Sequence, residues 1–142
     1  MARINTGRVI LGGLLAGLVI NVVSVLCNFL LVGKKIMQAQ QAGHFLAEPR
    51  FPFLPAWLIL MFLVGIALVW LYAAVRPRLG PGPGTALKVG ILVGLLMGVP
   101  DNMANAAWGT SGRYLPAMWM LEHLIGCALG TLVGAWLYKE EP

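Results

Sequence analysis

Four runs of apolar residues divide the chain, at 9–32, 53–75, 87–108 and 114–138. Each is close to the ~20 residues needed to cross ~30 Å of hydrocarbon as a helix. Lipid offers the backbone no hydrogen bonds, so each run predicts a helix that satisfies its own N–H and C=O groups. The two-residue alternation of a transmembrane barrel is absent. The links differ. "RPRLGPGPGT" (76–85) is a Pro/Gly breaker and "GTSGR" (109–113) a tight turn. "KKIMQAQQAGHFLAEPRFP" (34–52) is a longer loop, whose start predicts a short interfacial helix with Ile36, Met37 and Phe45 toward lipid.

A second pattern lies inside the apolar runs. At an offset of 77, Gly13, Gly17, Asn21, Ser24 and Asn28 fall on Gly90, Gly94, Gly98, Asp101 and Asn105. At an offset of 61, Leu54, Pro55, Ala56, Gly65, Ala67 and Leu68 fall on Leu115, Pro116, Ala117, Gly126, Ala128 and Leu129. Chance likeness between apolar helices competes with a duplication, but small and polar residues match here as well as leucines. The pattern predicts two tandem two-helix hairpins: repeat one 9–75, loop 76–86 and repeat two 87–138, in one domain covering 1–142. An even number of spans per unit makes the copies parallel.

At 100° per residue each five-residue set occupies one helix face. These faces should be buried. Glycines such as Gly13, Gly17, Gly90, Gly94, Gly98, Gly126 and Gly130 let backbones approach, and polar groups hydrogen-bond between helices. An aspartate or asparagine facing lipid would be costly.

The candidate chemistry sits in the third and fourth spans. "GVPDNMANAAWG" (98–109) brings Asp101 and Asn105 into an apolar run, and Pro100 predicts a kink there. At ~1.5 Å per residue Asp101 lies ~20 Å along the third span, and Glu122 and His123 ~12 Å in from the far side along the fourth. Asn21, Ser24 and Asn28 fall at the same level, so a buried polar site of Asp101, Asn105, Glu122, His123, Asn21, Ser24 and Asn28 is expected. Such a site could hold an ion, proton or small solute, with His123 tuning the carboxyls, or act as polar glue between repeats or subunits. His123 shares a face with Cys127, Gly130 and Gly134, an arrangement that could ligate haem or chlorophyll, although no second ligand is in view. His44 reads as a solvated loop residue.

Composition agrees with the membrane assignment. Of 142 residues 59% are apolar and 11% charged, against roughly 25% charged in soluble domains. The net charge of +5 comes from basic residues placed singly or in pairs, not the block a nucleic-acid surface needs. Arg3, Arg8, Arg76, Arg78, Lys88 and Lys139 fall on one side of the bilayer, and Lys34, Lys35, Arg50 and Arg113 on the other. The excess predicts both termini in the cytoplasm. Trp57, Trp70, Trp108, Trp136, Tyr72, Tyr114 and Tyr138 lie near span ends, as interfacial aromatics do. Cys27 and Cys127 lie within apolar runs and read as small apolar fillers rather than a disulfide. Leu26 before Cys27 argues against a lipoprotein signal. The first run is too long for a signal peptide and lacks a small-x-small cleavage site, so it reads as a retained anchor. HExxH, CxxC, P-loop and GxSxG patterns are missing, as is a nucleophile–base pairing, so no enzyme is expected.

The stretches "VILGGLLAGLVIN" (9–21), "NFLLVGKK" (28–35), "WLYAAVRPRLGPGPGTALKVG" (70–90) and "GAWLYKE" (134–140) resemble a group of small four-span bacterial membrane proteins with no established activity. The resemblance implies a multi-pass protein of the bacterial inner membrane and carries over no catalytic residue. "PDN" (100–102) is not part of it. The expectation is an all-α membrane protein of four transmembrane helices. It would hold a buried polar site or, alternatively, serve as an accessory subunit of a larger pigment- or haem-bearing complex. The glycine faces suggest a homo-oligomer.

Overall fold

The computed structural model describes residues 3–140, so the outermost residues of the 1–142 unit lie outside it. The chain is helical throughout: α1 (Thr6–Cys27), a π-helical turn (Asn28–Val32), α2 (Gly33–Gln41), α3 (Phe53–Leu79), α4 (Pro83–Trp108) and α5 (Tyr114–Trp136). Four stretches are long and apolar enough to cross a membrane: Thr6–Gln41, Phe53–Leu79, Pro83–Trp108 and Tyr114–Trp136. The Asn5 side chain accepts from the Arg8 N–H at 3.0 Å and caps α1. Gly80 and Gly82, at φ of 84° and 121°, make the sharp turn from α3 to α4, and Pro83 opens the new helix. The helix continues unbroken through Pro100.

The helices pack through glycine. α1 packs on α3 and α5, and α4 on α5, whereas α1 and α4 do not pack on each other. A Cβ on Gly17 would stand 2.6 Å from the Phe62 Cα, and one on Gly94 2.8 Å from the Leu124 Cα. Both helix pairs therefore have backbone against backbone at positions where any side chain must collide. Gly13 meets Ile66 in the same way, Gly90 meets Ala128, and Gly98 meets His123. Gly130 and Gly134 of α5 face Ala16, Ile20 and Gly12 of α1, and Gly126 packs more loosely on Ile20 and Val23. Close approach multiplies dispersion contacts, which drive association where lipid and side chain are equally apolar. These glycine faces are thus packed within one chain.

Two expectations, about the segment after Lys34 and about the span-end aromatics, need correcting. The segment after Lys34 is no separate interfacial helix but continues α1 through the π turn. A Cβ at Gly33 would stand 2.7 Å from the Asn28 carbonyl oxygen, to which the Gly33 N–H donates across the wide turn. Val32 at the end of the turn and Ala39 beyond it are buried with Leu115, Ile36 packs against that cluster, and Phe45 meets Trp119 edge-on at 6.4 Å. Only Met37 of the three residues assigned to lipid is well exposed. The second correction concerns the aromatic belt. Trp70, Trp108, Trp136 and Tyr114 are exposed, but Tyr72 and Tyr138 are buried and meet edge-to-face at 6.1 Å. The Tyr72 hydroxyl accepts from the Gly82 N–H at 3.1 Å, and Arg76 lies over the Tyr138 ring, 3.4 Å from Glu140. These contacts close one end of the bundle.

The other end is held by side chains that reach across loops. Tyr114 donates to the Leu31 carbonyl within the π turn at 3.2 Å. His44 pairs with the Thr110 hydroxyl at 3.1 Å, so it ties the long loop to the α4–α5 turn rather than being merely solvated.

Filling the α4–α5 contact with Gly94→Val should destabilise the protein by about 2 kcal/mol or more, because backbone on both sides cannot yield. Gly84→Ala, with nothing within 4 Å of the added carbon, should be neutral or stabilising by up to about 1 kcal/mol. Reversible unfolding in mixed micelles measures both.

Candidate functional site

Away from the tyrosine-packed end, the bundle encloses a cavity of about 770 Å³ bounded by α1, α3, α4 and α5, with Ile36 of α2 at its edge. It exists because α1 and α4 stay apart while glycines hold α1 to α3 and α4 to α5. The cavity has a graded lining. Its floor is polar and buried: Asn21, Ser24, Asn102 and Glu122, with Glu122 only 6% exposed. Its walls carry aromatic rings, among them Phe53, Trp57 and Trp119. Val25, Phe29 and Leu54 line it from exposed positions, as do Asn28, Asp101 and Asn105.

Each floor group is held by a neighbour. The Ser24 hydroxyl donates a short hydrogen bond to Glu122 Oε1, joining α1 to α5. The Cys27 thiol lies beside the same carboxyl. Asn21 Nδ2 donates to the Leu58 carbonyl of α3 at 3.3 Å, which fixes the amide's orientation and leaves Oδ1 buried with no hydrogen-bond partner. Asn102 Nδ2 donates to the Gly98 carbonyl at 2.8 Å, and Asn28 Nδ2 to the Ser24 carbonyl at 2.9 Å.

His123 Nδ1 lies 2.7 Å from the Trp119 carbonyl. A carbonyl only accepts, so Nδ1 carries a proton and donates to it. The Trp57 ring stands perpendicular to the imidazole at 5.9 Å.

All seven residues expected in the polar site line this one cavity. They divide by depth: Asn21, Ser24 and Glu122 are buried and His123 half-buried, while Asp101, Asn105 and Asn28 are exposed. Asp101 and Glu122 therefore share a cavity at different depths. The expectation that the whole third-span set is buried needs correcting. The buried face of α4 runs Gly90, Gly94, Gly98, Asn102. Asp101 and Asn105 lie to one side of it. Asn102 was missed, although four-residue steps from Gly90 reach it directly. Trp57 and Trp119 were missed as lining too: Trp57 was read as an interfacial aromatic near a span end, and Trp119 was given no role.

The face proposed for a porphyrin is occupied. Gly130 and Gly134 are covered by α1, and Cys127 is buried against Gly90 and Gly94 of α4. No ring can lie flat beside His123 on that side. Among the described residues no group of three or more His, Cys, Asp or Glu side chains converges to hold a metal ion.

No protein-family model, curated protein or solved structure matches the chain. The fold and cavity thus define the class reached here: an all-helical protein with four spans fit to cross a membrane and a polar-floored cavity among them.

Ser24→Ala would leave the buried Glu122 carboxyl without its hydroxyl donor. A loss of about 1–3 kcal/mol in unfolding free energy is expected, whereas Glu122→Gln, which can still accept from Ser24, should lose less.

Proposed function

We propose that this protein is a non-enzymatic membrane protein that binds a small solute in the cavity between α1 and α4. The observation that carries this reading is the lining: a buried polar floor beneath aromatic walls, in a volume of about 770 Å³. Small-molecule sites have this character, mostly apolar with a few placed polar groups, at roughly 300–1,000 Å³. Polar glue between helices would be expected to fill its space, and here buried polar side chains border an open volume. Binding fits better than catalysis because His123 is engaged with the Trp119 carbonyl, and no contact joins it to Glu122 as a base–acid pair. With both termini in the cytoplasm of a bacterial inner membrane, the site lies in the outer half of the bilayer. The two hairpins are read as copies of one unit, each held by glycines of its first helix.

A second reading, an accessory subunit of a larger membrane complex, is favoured by the exposure of Asp101 and Asn105 beside Leu54 and Phe29. A partner helix there would cover polar groups that lipid does not welcome.

Thermal unfolding of the detergent-purified protein against a panel of cationic, neutral and anionic small solutes tests the first reading. At least one solute should raise the midpoint by about 5 °C or more at saturation. Val25→Trp, at an exposed position lining the cavity, should abolish that rise. A blank panel, or a rise indifferent to Val25→Trp, would refute a solute site. Gentle extraction that returns a defined complex instead of a single species would favour the subunit reading.

A further inference from the structure

The cavity's polar groups are biased in one direction. Two carboxyls line it, Glu122 on the floor and Asp101 at an exposed position, and no Lys or Arg does. The only ion pair among the described residues is Arg76 with Glu140, at the opposite end. The basic residues nearer the cavity, Lys34, Lys35, Arg50 and Arg113, are exposed and none lines it. Glu122 is thus a buried acid with a serine hydroxyl for a partner and no counter-cation. A buried carboxylate is costly unless paired, so an ionised Glu122 calls for a positive charge beside it.

A second observation, independent of charge, points the same way. His123, half-buried, also lines the cavity, and with Nδ1 directed at the Trp119 carbonyl a neutral ring offers Nε2 as an acceptor. Carboxylate oxygen and ring nitrogen both seek N–H or O–H donors. The rings of Trp57, Trp119, Phe53 and Phe29 offer negative π faces and a large apolar area. A ligand that satisfies all of these carries a positive charge, more than one N–H, and an apolar body.

Resting on the solute-binding reading above, we propose that the cavity takes a primary ammonium borne on an apolar body, with Glu122 as its counter-charge. Asp101 draws the cation in from outside. An anionic or purely neutral solute would leave Glu122 uncompensated. The same head group occurs on free hydrophobic amines and on phosphatidylethanolamine, and the cavity is lined partly by exposed residues within the span region, within reach of either.

Equilibrium dialysis of the full chain in maltoside micelles tests this, using three probes on one scaffold: 2-(1-naphthyl)ethylammonium, 2-(1-naphthyl)ethanol and 1-naphthaleneacetate. The ammonium should bind at least about tenfold tighter than the alcohol, and the acetate weakest, the difference expected for a charge-assisted hydrogen bond. Glu122→Gln should remove that preference by weakening the ammonium alone. Asp101→Asn, at an exposed position, should cost about two- to threefold. The comparison of probes on the wild-type chain stands even if a variant fails to fold. Phosphatidylethanolamine that displaces the bound amine, where phosphatidylglycerol does not, would name the lipid as the source, and displacement by neither would name a free amine. An alcohol that binds as tightly as the ammonium, or a preference that survives Glu122→Gln, overturns the ammonium assignment. If that binding is still blocked by Val25→Trp, the solute site itself stands. No binding by any probe, together with a blank solute panel, overturns both.

Discussion

A medium that donates and accepts no hydrogen bonds governs this chain at every level. It forces the backbone into helices, because only a helix pairs its own amides and carbonyls within one segment. It turns asparagine, serine and glutamate away from the acyl tails, because an unpaired polar group there costs more than most contacts return. It also removes the hydrophobic effect as a reason for helices to meet, which leaves close packing to hold them. The glycines answer that last demand. Gly13, Gly17, Gly90 and Gly94 bring backbones so near that even a methyl group collides with the neighbouring main chain.

The cavity follows from where this close packing stops. α1 is bound to α3 and α5, and α4 to α5, but α1 and α4 remain apart. At one end the remaining space is filled by Tyr72, Tyr138 and the Arg76–Glu140 pair. At the other, the chain places Asn21, Ser24, Asn102 and Glu122, whose side chains line the gap without filling it. Most of them are tied to a nearby carbonyl or to one another, which holds the floor in one geometry. A carboxyl without a counter-charge, that of Glu122, lines the gap as well.

Much of this was legible in residue order. The four apolar runs match the four long helices to within a few residues at most ends, since burial in lipid depends on local composition. The glycine faces and the polar level shared by Asn21, Ser24 and Glu122 followed from helical periodicity alone. The start of α2 was misread because Lys34 and Lys35 look like the edge of a membrane. Lysine stems are long enough to carry their charge to water while the helix beneath continues, and Gly33 supplies the wide turn that re-aims it. Asp101 and Asn105 drew attention by their chemistry, yet Asn102 is the residue that reaches the floor. A step of three from Gly98 and a step of four diverge by about 100°, and only the position of α5 decides which lies inside.

By itself the sequence determined how many long apolar helices form and where most of them end. These are properties of a segment and its solvent, and they need no knowledge of neighbours. Tertiary structure alone decided what each face meets. The glycines of α1 and α5 find each other rather than a second copy, the face beside His123 is covered by α1 instead of standing open, and polar groups from three helices converge on one cavity. Periodicity specifies a face but not its partner, because the partner is set by how distant stretches of chain come together.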